Sequence, residues 1–517
     1  MKKLFSITLM AIIFTVGIAF NGFAQQKPVR GGVLREIWPN GPMCVGYLPE
    51  MGPGDEIAVM PGVERMMEYN NADKQIHPLL AEKVDVDKTN KKLTFHIRKG
   101  VKFHDGSDLT AEVAAFWYKL YNDVHRLQFG NTVSSIEVAD TYTMVLHLTD
   151  FNNQFLDGLG WVPIYSKAAW DKAGGGDVEK SKAFARANCI GTGPFMLKEY
   201  KVDDHITWVK NPNYWQKGKP YLDGITVRYV PDPVTASAMM LSKEADMWGG
   251  PPPPKYQVEL EKKGLVRQSG FGLPGIIYIN NKSPDSKFRD KRLREALEYA
   301  LDKPAIAKAL GYGYYTPLTM IAPPGEWGYD PKYPGRPYNP EKAKKLLAEA
   351  GYPNGLKVKM ILFPPAPADS LDASTAYKQY LDAVGFQVDL DVADAGRFFS
   401  SMYVNGWQEL ANWLTGLDYN YLATFFRQFG PDPFANYMSF QRPQELIDMC
   451  KKAYQAYDEA TQKEWAKKLV RLMADECLVV PTYFVPSAYI IQPYVHTTFD
   501  KEMMVARKTY DEWMDKH

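Results

Sequence analysis

Cysteine is scarce in this chain: four residues among 517, at positions 44, 189, 450 and 477. No two of them stand in C-x-x-C or zinc-site spacing, so the sequence signs of a structural zinc or a redox pair are missing. Histidine is almost as rare. The eight residues lie at 77, 96, 104, 125, 147, 205, 496 and 517, and none forms an i, i+4 metal pair. Excess charge is absent too, with 61 basic against 60 acidic residues. That balance leaves no nucleic-acid footprint and no sign of an acidic partner. There is no G-x-S-x-G elbow, no HExxH and no P-loop, and the Gly174-Gly175-Gly176 run lacks the Lys-Ser/Thr that would make it a phosphate cradle. No cofactor is expected and no enzyme class has positive support. Beyond the first twenty or so residues no apolar run is long enough to span a bilayer.

What is abundant is aromatic. Phe, Trp and Tyr make up 13% of the chain, with 32 Tyr and 12 Trp. Tyr and Trp fill cores, but they also line binding clefts, because a large apolar face comes with a polar handle. The 39 Gly and 37 Pro residues imply many loops. The length is too great for one core, so two or three domains are expected. Lys2-Lys3, the apolar stretch Leu4 to Phe20 and Gly22-Phe23-Ala24 have the layout of a secretory signal with cleavage after Ala24. The first cysteine is Cys44, far from that point, so no lipid anchor is expected and the mature protein reads as periplasmic. In an oxidising compartment the four cysteines leave the pairing open. Cys450 and Cys477 lie on neighbouring helix-like segments, which favours that bridge.

The stretch LTFHIRKGVKFHDGSDLTAEVAAFWYKL, residues 93–120, organises the rest. Leu93, Phe95 and Ile97 alternate with polar residues, which predicts a half-buried strand. His104-Asp105-Gly106 is turn chemistry rather than an acid–base pair. Thr110 predicts an N-cap, and Val113, Phe116, Trp117, Leu120, Tyr121 and Val124 fall on one helical stripe. Later helices are predicted over 234–242, 291–300, 340–350, 370–384, 395–404, 444–457 and 460–475. Strands are predicted over 195–200, 206–210, 225–230, 245–248, 357–362, 387–392 and 408–414. Residues 61–69 and 151–159 also read as helices. The segments 266–272 and 276–280, and again 479–483 and 487–491, read as separate strands broken by Gly and Pro, with Gly270 to Gly275 a hinge. Helix–strand alternation of this kind argues for an α/β fold.

The same words resemble a known family. TFHIRKGVKFHDGSDLTAE (94–112) is similar to the motif F-x-(L/I)-R-x-G-V-x-F-H-D-G-x-x-(L/F)-T-A of the family 5 extracellular solute-binding proteins of ABC importers, the peptide, dipeptide and nickel type. GTGPFMLKEY (191–200) with NPNYW (211–215), FRDKRLREALEYALDKPAI (288–306) and NPEKAKKLLAEAGYPNG (339–355) follow in the family's order. The resemblance implies a two-lobed periplasmic-binding-protein fold of α/β class, with an extra inserted domain and hinged lobes around a central cleft. Mapped here, lobe I is 25–66 with 190–272 and 488–517, the inserted domain is 67–189 and lobe II is 273–487. It also implies a monomeric binding component that hands a di- or oligopeptide to an inner-membrane permease. Oligosaccharide and chelated nickel stand as alternative cargoes, and a periplasmic hydrolase would need a nucleophile–base pair that is not found.

Candidate ligand residues cluster in RFFSSMYVNGWQELANWLTGLDYNYLATFFRQFGPDPF (397–434). In the family an acidic residue of this region often pairs with a peptide's amino group. Asp418 occupies that place, in LDYNYL rather than the dipeptide-type GDxxDP, and a turn or helix cap is the other reading. Trp407, Trp413, Tyr419 and Tyr421 are candidates for stacking, with core packing the alternative for Trp413. Arg397 and Arg427 are candidates for a ligand carboxylate. On the facing lobe, Trp248, Gly249 and Gly250 leave a strand end, where α/β sheets usually meet ligands. Met43, Cys44 and Tyr47 belong to an apolar loop that is either covered or faces a ligand.

Overall fold

The computed structural model describes residues 27–51, 53–70, 75–127, 129–250, 252–364, 370–414, 416, 421–430, 438–498 and 507–515. The expected signal segment, Asp418 and Tyr419 lie outside the described residues.

One eleven-stranded sheet runs through the molecule. Along its main path the strands are Phe195–Lys201, His205–Lys210, Gly224–Tyr229, Val33–Trp38, Met247–Trp248, Val479–Ile491, Val266–Ile279, Leu410–Leu414, Leu356–Leu362 and Phe386–Val392. The fold is two-lobed. Its halves meet at the two longest strands, Val266–Ile279 and Val479–Ile491, which pair antiparallel along most of their length. A separate four-stranded sheet, Ala81–Asp87, Lys92–Ile97, Thr143–Leu148 and Val133–Asp140, lies within the segment between the first strand and Phe195.

Alternation decides which core each side chain enters. Ile276 and Tyr278 point into one core, with Phe425, Phe429 and Leu469, while Ile277 and Ile279 point into another, with Leu293, Leu297 and Tyr377. In the other half Leu34, Ile225 and Tyr489 share a single core with Phe95, Trp117 and Ile164. The strand Lys92–Ile97 and the helix Ala111–Asp123 therefore share one core with the N-terminal strand. A smaller core beneath Ile37, Trp248 and Ile490 covers the opposite face.

The organising stretch folds as its pattern predicts. Lys92–Ile97 is a strand, and the Thr110 side chain accepts from the Val113 N–H to start helix Ala111–Asp123. Asp105 clamps its turn by accepting from the Ser107 N–H at 3.0 Å and from the Ser166 hydroxyl at 2.6 Å. The buried face of the helix is rotated from the expected stripe: it is Ala111, Ala114, Trp117, Tyr118 and Tyr121, with Val124 exposed. Tyr118 is tolerated inside because its hydroxyl donates to the Leu159 carbonyl, as Trp117 Nε1 does to Tyr165 O at 2.6 Å.

Several expectations are corrected. Residues 61–69 form no helix; Pro53–Val59 is the helix, and Glu64–Arg65 and Met67–Asn70 are strands. The helix over 151–159 shortens to Phe155–Leu159, and 395–404 divides into helix Ala395–Ser400 and a π-turn, Ser401–Asn405. The strand pairs broken by Gly and Pro are single strands, because a partner ladder carries them past the interruptions with register shifts between Ser269 and Gly272 and between Pro274 and Ile276. A Cβ on Gly272 would stand 2.2 Å from the Val485 carbonyl oxygen, so only glycine allows this approach. Pro252 and Pro253 lead into helix Pro254–Glu261, proline being suited to a helix's first position. The Cys450–Cys477 bridge does not form: none of the four cysteines is in a disulfide, and all four are buried. Cys450 sits in the core with Ile276 and Cys477 in the core with Ile277, on opposite faces of the sheet.

On the short strand Glu64–Arg65 the Glu64 side chain is buried. It accepts from Thr192 Oγ1 at 2.8 Å, Tyr214 OH at 2.7 Å and Trp215 Nε1 at 2.8 Å. Burial pushes its carboxyl up to about 7, against these three hydrogen bonds, and Glu68 adds repulsion. The folded protein therefore holds a proton that the unfolded chain releases above the ordinary value of 4.5. The stability this gives is full below that value and is lost as pH rises through about 7, by an amount on the order of 3 kcal/mol. Between pH 5 and 8 the parent is expected to lose more melting temperature than Glu64→Gln; parallel curves would contradict this. Ellman's reagent is expected to find no reactive thiol in the native protein and four per chain after denaturation.

Candidate functional site

The strand directions locate the site. In the first half Val33–Trp38 runs parallel to Gly224–Tyr229 and Met247–Trp248. Trp248 stands opposite Ile490, so the chain leaving Trp248 heads toward the middle of the long strand pair. In the second half Leu356–Leu362 runs parallel to Phe386–Val392 and Leu410–Leu414. Trp413 stands opposite Ile276 and Leu414 opposite Gly275, again at that middle. The carboxyl ends of the parallel strands in both lobes thus converge on one irregular zone. In open α/β sheets ligands bind at such ends, where loops fan out and backbone groups are free.

On the first side the end of Val33–Trp38 is fixed by buried charge. Arg507 forms two-pronged pairs with Glu36, at 2.6 and 3.0 Å, and with Glu512, at 2.5 and 2.6 Å. Burial works against the guanidinium charge, but the two carboxylates outweigh it and hold its pKa well above the ordinary value. The other consequence of burial is a raised Glu512 carboxyl, partly offset by Arg507. Glu36 also accepts from Trp38 Nε1 at 3.0 Å, and the Trp38 ring meets Tyr489 edge-on at 5.8 Å. That ring lies across Gly249, where a Cβ would come within 2.4 Å of it. Gly250 takes a φ of +65° against Pro39. The two glycines thus let the strand exit close under a half-buried tryptophan.

On the second side the strand ends carry a set of rings. Phe363, just past Leu362, meets Phe399 at 5.9 Å and Trp413 at 6.5 Å, and Phe399 meets Trp413 at 5.6 Å. Phe398 closes the set from below, 5.0 Å from Trp413. The π-turn that follows stacks Tyr403 on Phe399 with an interplanar angle of 8°. Phe399 is 37% exposed although its neighbour Phe398 is fully buried. The site is therefore half-open aromatic surface, with no nucleophile–base pair among the groups described.

The expected site residues divide. Trp413, Gly249 and Gly250 stand at the converging ends. Arg397 stands there too, but its guanidinium is bound to Asp391 at 2.8 and 2.9 Å and to the Val392 carbonyl at 2.8 Å. That hydrogen-bonded pair holds the Asp391 carboxyl below its ordinary range. Trp248, Trp407 and Tyr421 are core residues: Trp248 packs under Ile37 and Ile490, and the other two lie in the core with Tyr278. Cys44 and Tyr47 are buried, Tyr47 stacking on Trp170, so the apolar loop is covered by helix Lys167–Gly174. Met43 is 81% exposed at its surface. The Arg427 side chain, like Asp418 and Tyr419, lies outside the described residues. Trp38, Phe363, Phe399 and Tyr403 were missed. The available signal was position, since Trp38 ends a parallel strand and Phe363 directly follows one.

Among the described residues no group of His, Cys, Asp and Glu is placed to hold a metal, and no helix is long and apolar enough to cross a membrane. Several histidines are occupied locally, His96 with Asp85 at 2.8 Å and His147 with Glu137 at 2.7 Å.

Comparison with known proteins agrees with this architecture. Residues 75–436 match the bacterial extracellular solute-binding proteins, family 5 (middle region). Heme-binding protein A of Haemophilus influenzae is 33% identical over 335 residues, 58% of this chain and 58% of that protein. Glutathione-binding protein GsiB of Escherichia coli K12 is 31% identical over 364 residues, 67% of this chain and 66% of that one. The match thus spans under two thirds of either relative. The periplasmic binding protein DppA of Helicobacter pylori, solved with the peptide STSA, superposes with a TM-score of 0.81 at 21% identity, covering 94% of this chain and 99% of that one. With its strand ends converging on a two-stranded joint and its family motifs in order, the chain belongs to the family 5 bacterial extracellular solute-binding proteins.

Proposed function

We propose that this protein captures a di- or oligopeptide between its lobes and delivers it to an ABC permease, as a monomeric exported binding component that does not turn its cargo over. The convergence of strand ends from both lobes on the middle of the long strand pair carries this reading. A ligand there touches both lobes only when they are closed, so binding shifts the population toward closure. Relatives named for glutathione, a tripeptide, and a neighbour solved with a four-residue peptide support a peptide cargo. The boundaries 25–66 with 190–272 and 488–517, 67–189, and 273–487 belong to the same proposal. Their crossings fall within a few residues of one another in the ladder: Gly272 and Leu273 face Pro486 and Val485, and Ala488 faces Ser269. Export through the segment ending at Ala24 is likewise part of it.

The exposed rings favour one second reading, a sugar stacked on Phe399 and Trp413. A thermal-shift panel separates the two. Glutathione and short peptides at about a hundredfold over Kd are expected to stabilise the protein by about 2.7 kcal/mol, with oligosaccharides and nickel chelates inert. A shift with oligosaccharide alone would overturn the peptide reading. Phe399→Ala is expected to weaken binding of the stabilising peptide about tenfold in calorimetry, with the fold intact. Asp418→Ala tests the amine anchor: unchanged peptide affinity would remove Asp418 from the site.

A further inference from the structure

The two bodies of the molecule touch at a second place, far in sequence from the long strand pair. Asn153, in the loop before helix Phe155–Leu159, meets the last turn of helix Gln444–Gln455. Its backbone N–H donates to Tyr454 O at 3.2 Å, and its side-chain Nδ2 donates to Ala453 O at 2.9 Å and to Ala456 O. These carbonyls belong to the carboxyl-terminal turn and cap of that helix; Ala453 O also accepts from the Ala456 N–H at 3.3 Å, and Ala456 O from Gln462 Nε2 at 3.3 Å. The amide orientation follows from chemistry, since both partners on that side only accept. Its Oδ1 accepts from Gln154 Nε2 at 2.7 Å, and Gln154 is fully buried, so the group is held in place before contact. Beside it the rings of Phe151 and Tyr457 lie 5.5 Å apart, and Lys88 Nζ stands 3.9 Å from the centre of the Tyr457 ring.

Lys88, Phe151 and Asn153 belong to the body built on the core with Leu34 and Phe95, and Phe151 packs against that core. The helix Gln444–Gln455 belongs to the other lobe, where Leu446, Cys450 and Ala453 are buried with Ile276 and Leu469. Opening the lobes about the irregular middle of the long strands, on this face, breaks the contact. On the opposite face helix Pro254–Glu261 has a contact of its own, the Tyr314 hydroxyl donating to Glu261.

We infer that Asn153, with the Lys88–Tyr457–Phe151 stack, is a latch that holds the lobes together before any ligand is bound and so sets the open–closed balance of the cleft. This rests on the two-lobe capture reading and adds its regulation. A latch built from net-weak hydrogen bonds biases closure without locking it, which leaves room for ligand and release to move the balance.

Small-angle scattering of the ligand-free protein tests this, independently of what the cargo is. Asn153→Ala is expected to lower the closed-to-open ratio about tenfold and enlarge the radius of gyration. Tyr457→Ala and Lys88→Ala, both at exposed positions that the fold does not need, are expected to shift it in the same direction by less. Scattering profiles of all three variants that superimpose on the parent's overturn the latch. So does a lowered melting temperature for Asn153→Ala with unchanged scattering, which would make Asn153 a helix cap and nothing more. Neither result touches the peptide reading, which stands or falls on the ligand panel.

Discussion

Everything in this molecule hangs on one antiparallel ladder. Val266–Ile279 and Val479–Ile491 are the strands that join the two halves of the large sheet, and each half packs its own cores against them. A β-ladder is stiff against stretching because each hydrogen bond is shared with a partner, yet it can twist where registers slip. Here the slips are confined to the few residues from Ser269 to Ile276, opposite Ala488 to Pro481. Gly272 lets the backbones approach, and Thr482 ties the region down by donating to Gly275 O at 2.9 Å while accepting from the Tyr377 hydroxyl. Any relative motion of the lobes has to be absorbed in that short zone.

The same zone is where the parallel strands of both lobes end, so the joint and the candidate site coincide. The side chains there are rings rather than reactive groups. Arg397, the cation in the best position, is already spoken for by Asp391. Buried charge has a supporting role. Arg507 between Glu36 and Glu512 replaces lost hydration with matched hydrogen bonds and, through Glu36, orients Trp38 at the rim. Cutting one member of such a buried set leaves an uncompensated charge, which explains why a tail residue is tied so firmly to the first strand.

Much of the local structure was legible. The alternation through Leu93, Phe95 and Ile97, the Thr110 cap, and the helices starting at Lys291 and Pro340 all express short-range rules, and they folded as those rules predict. Reading failed where distant partners override them. Gly270 to Gly275 and Pro486 read as strand ends, but the ladder continues because its bonds come from more than 200 residues away. Residues 61–69 read as a helix, but Glu64–Arg65 is claimed as a strand by Pro163–Ile164. Cys450 and Cys477 were expected on neighbouring helical segments, yet a sheet separates them.

By itself, then, the sequence determined the alternation of helices and strands and the motifs that place the chain in its family, because both are written in residues close together. Only the tertiary structure decided which aromatic residues stay exposed at the converging strand ends. Phe398 and Phe399 are neighbours of the same kind, yet one is core and the other rim, and Trp407 and Tyr421, from the same stretch, are sealed inside. Exposure is set by what packs on a side chain from elsewhere in the chain, and no local pattern holds that information.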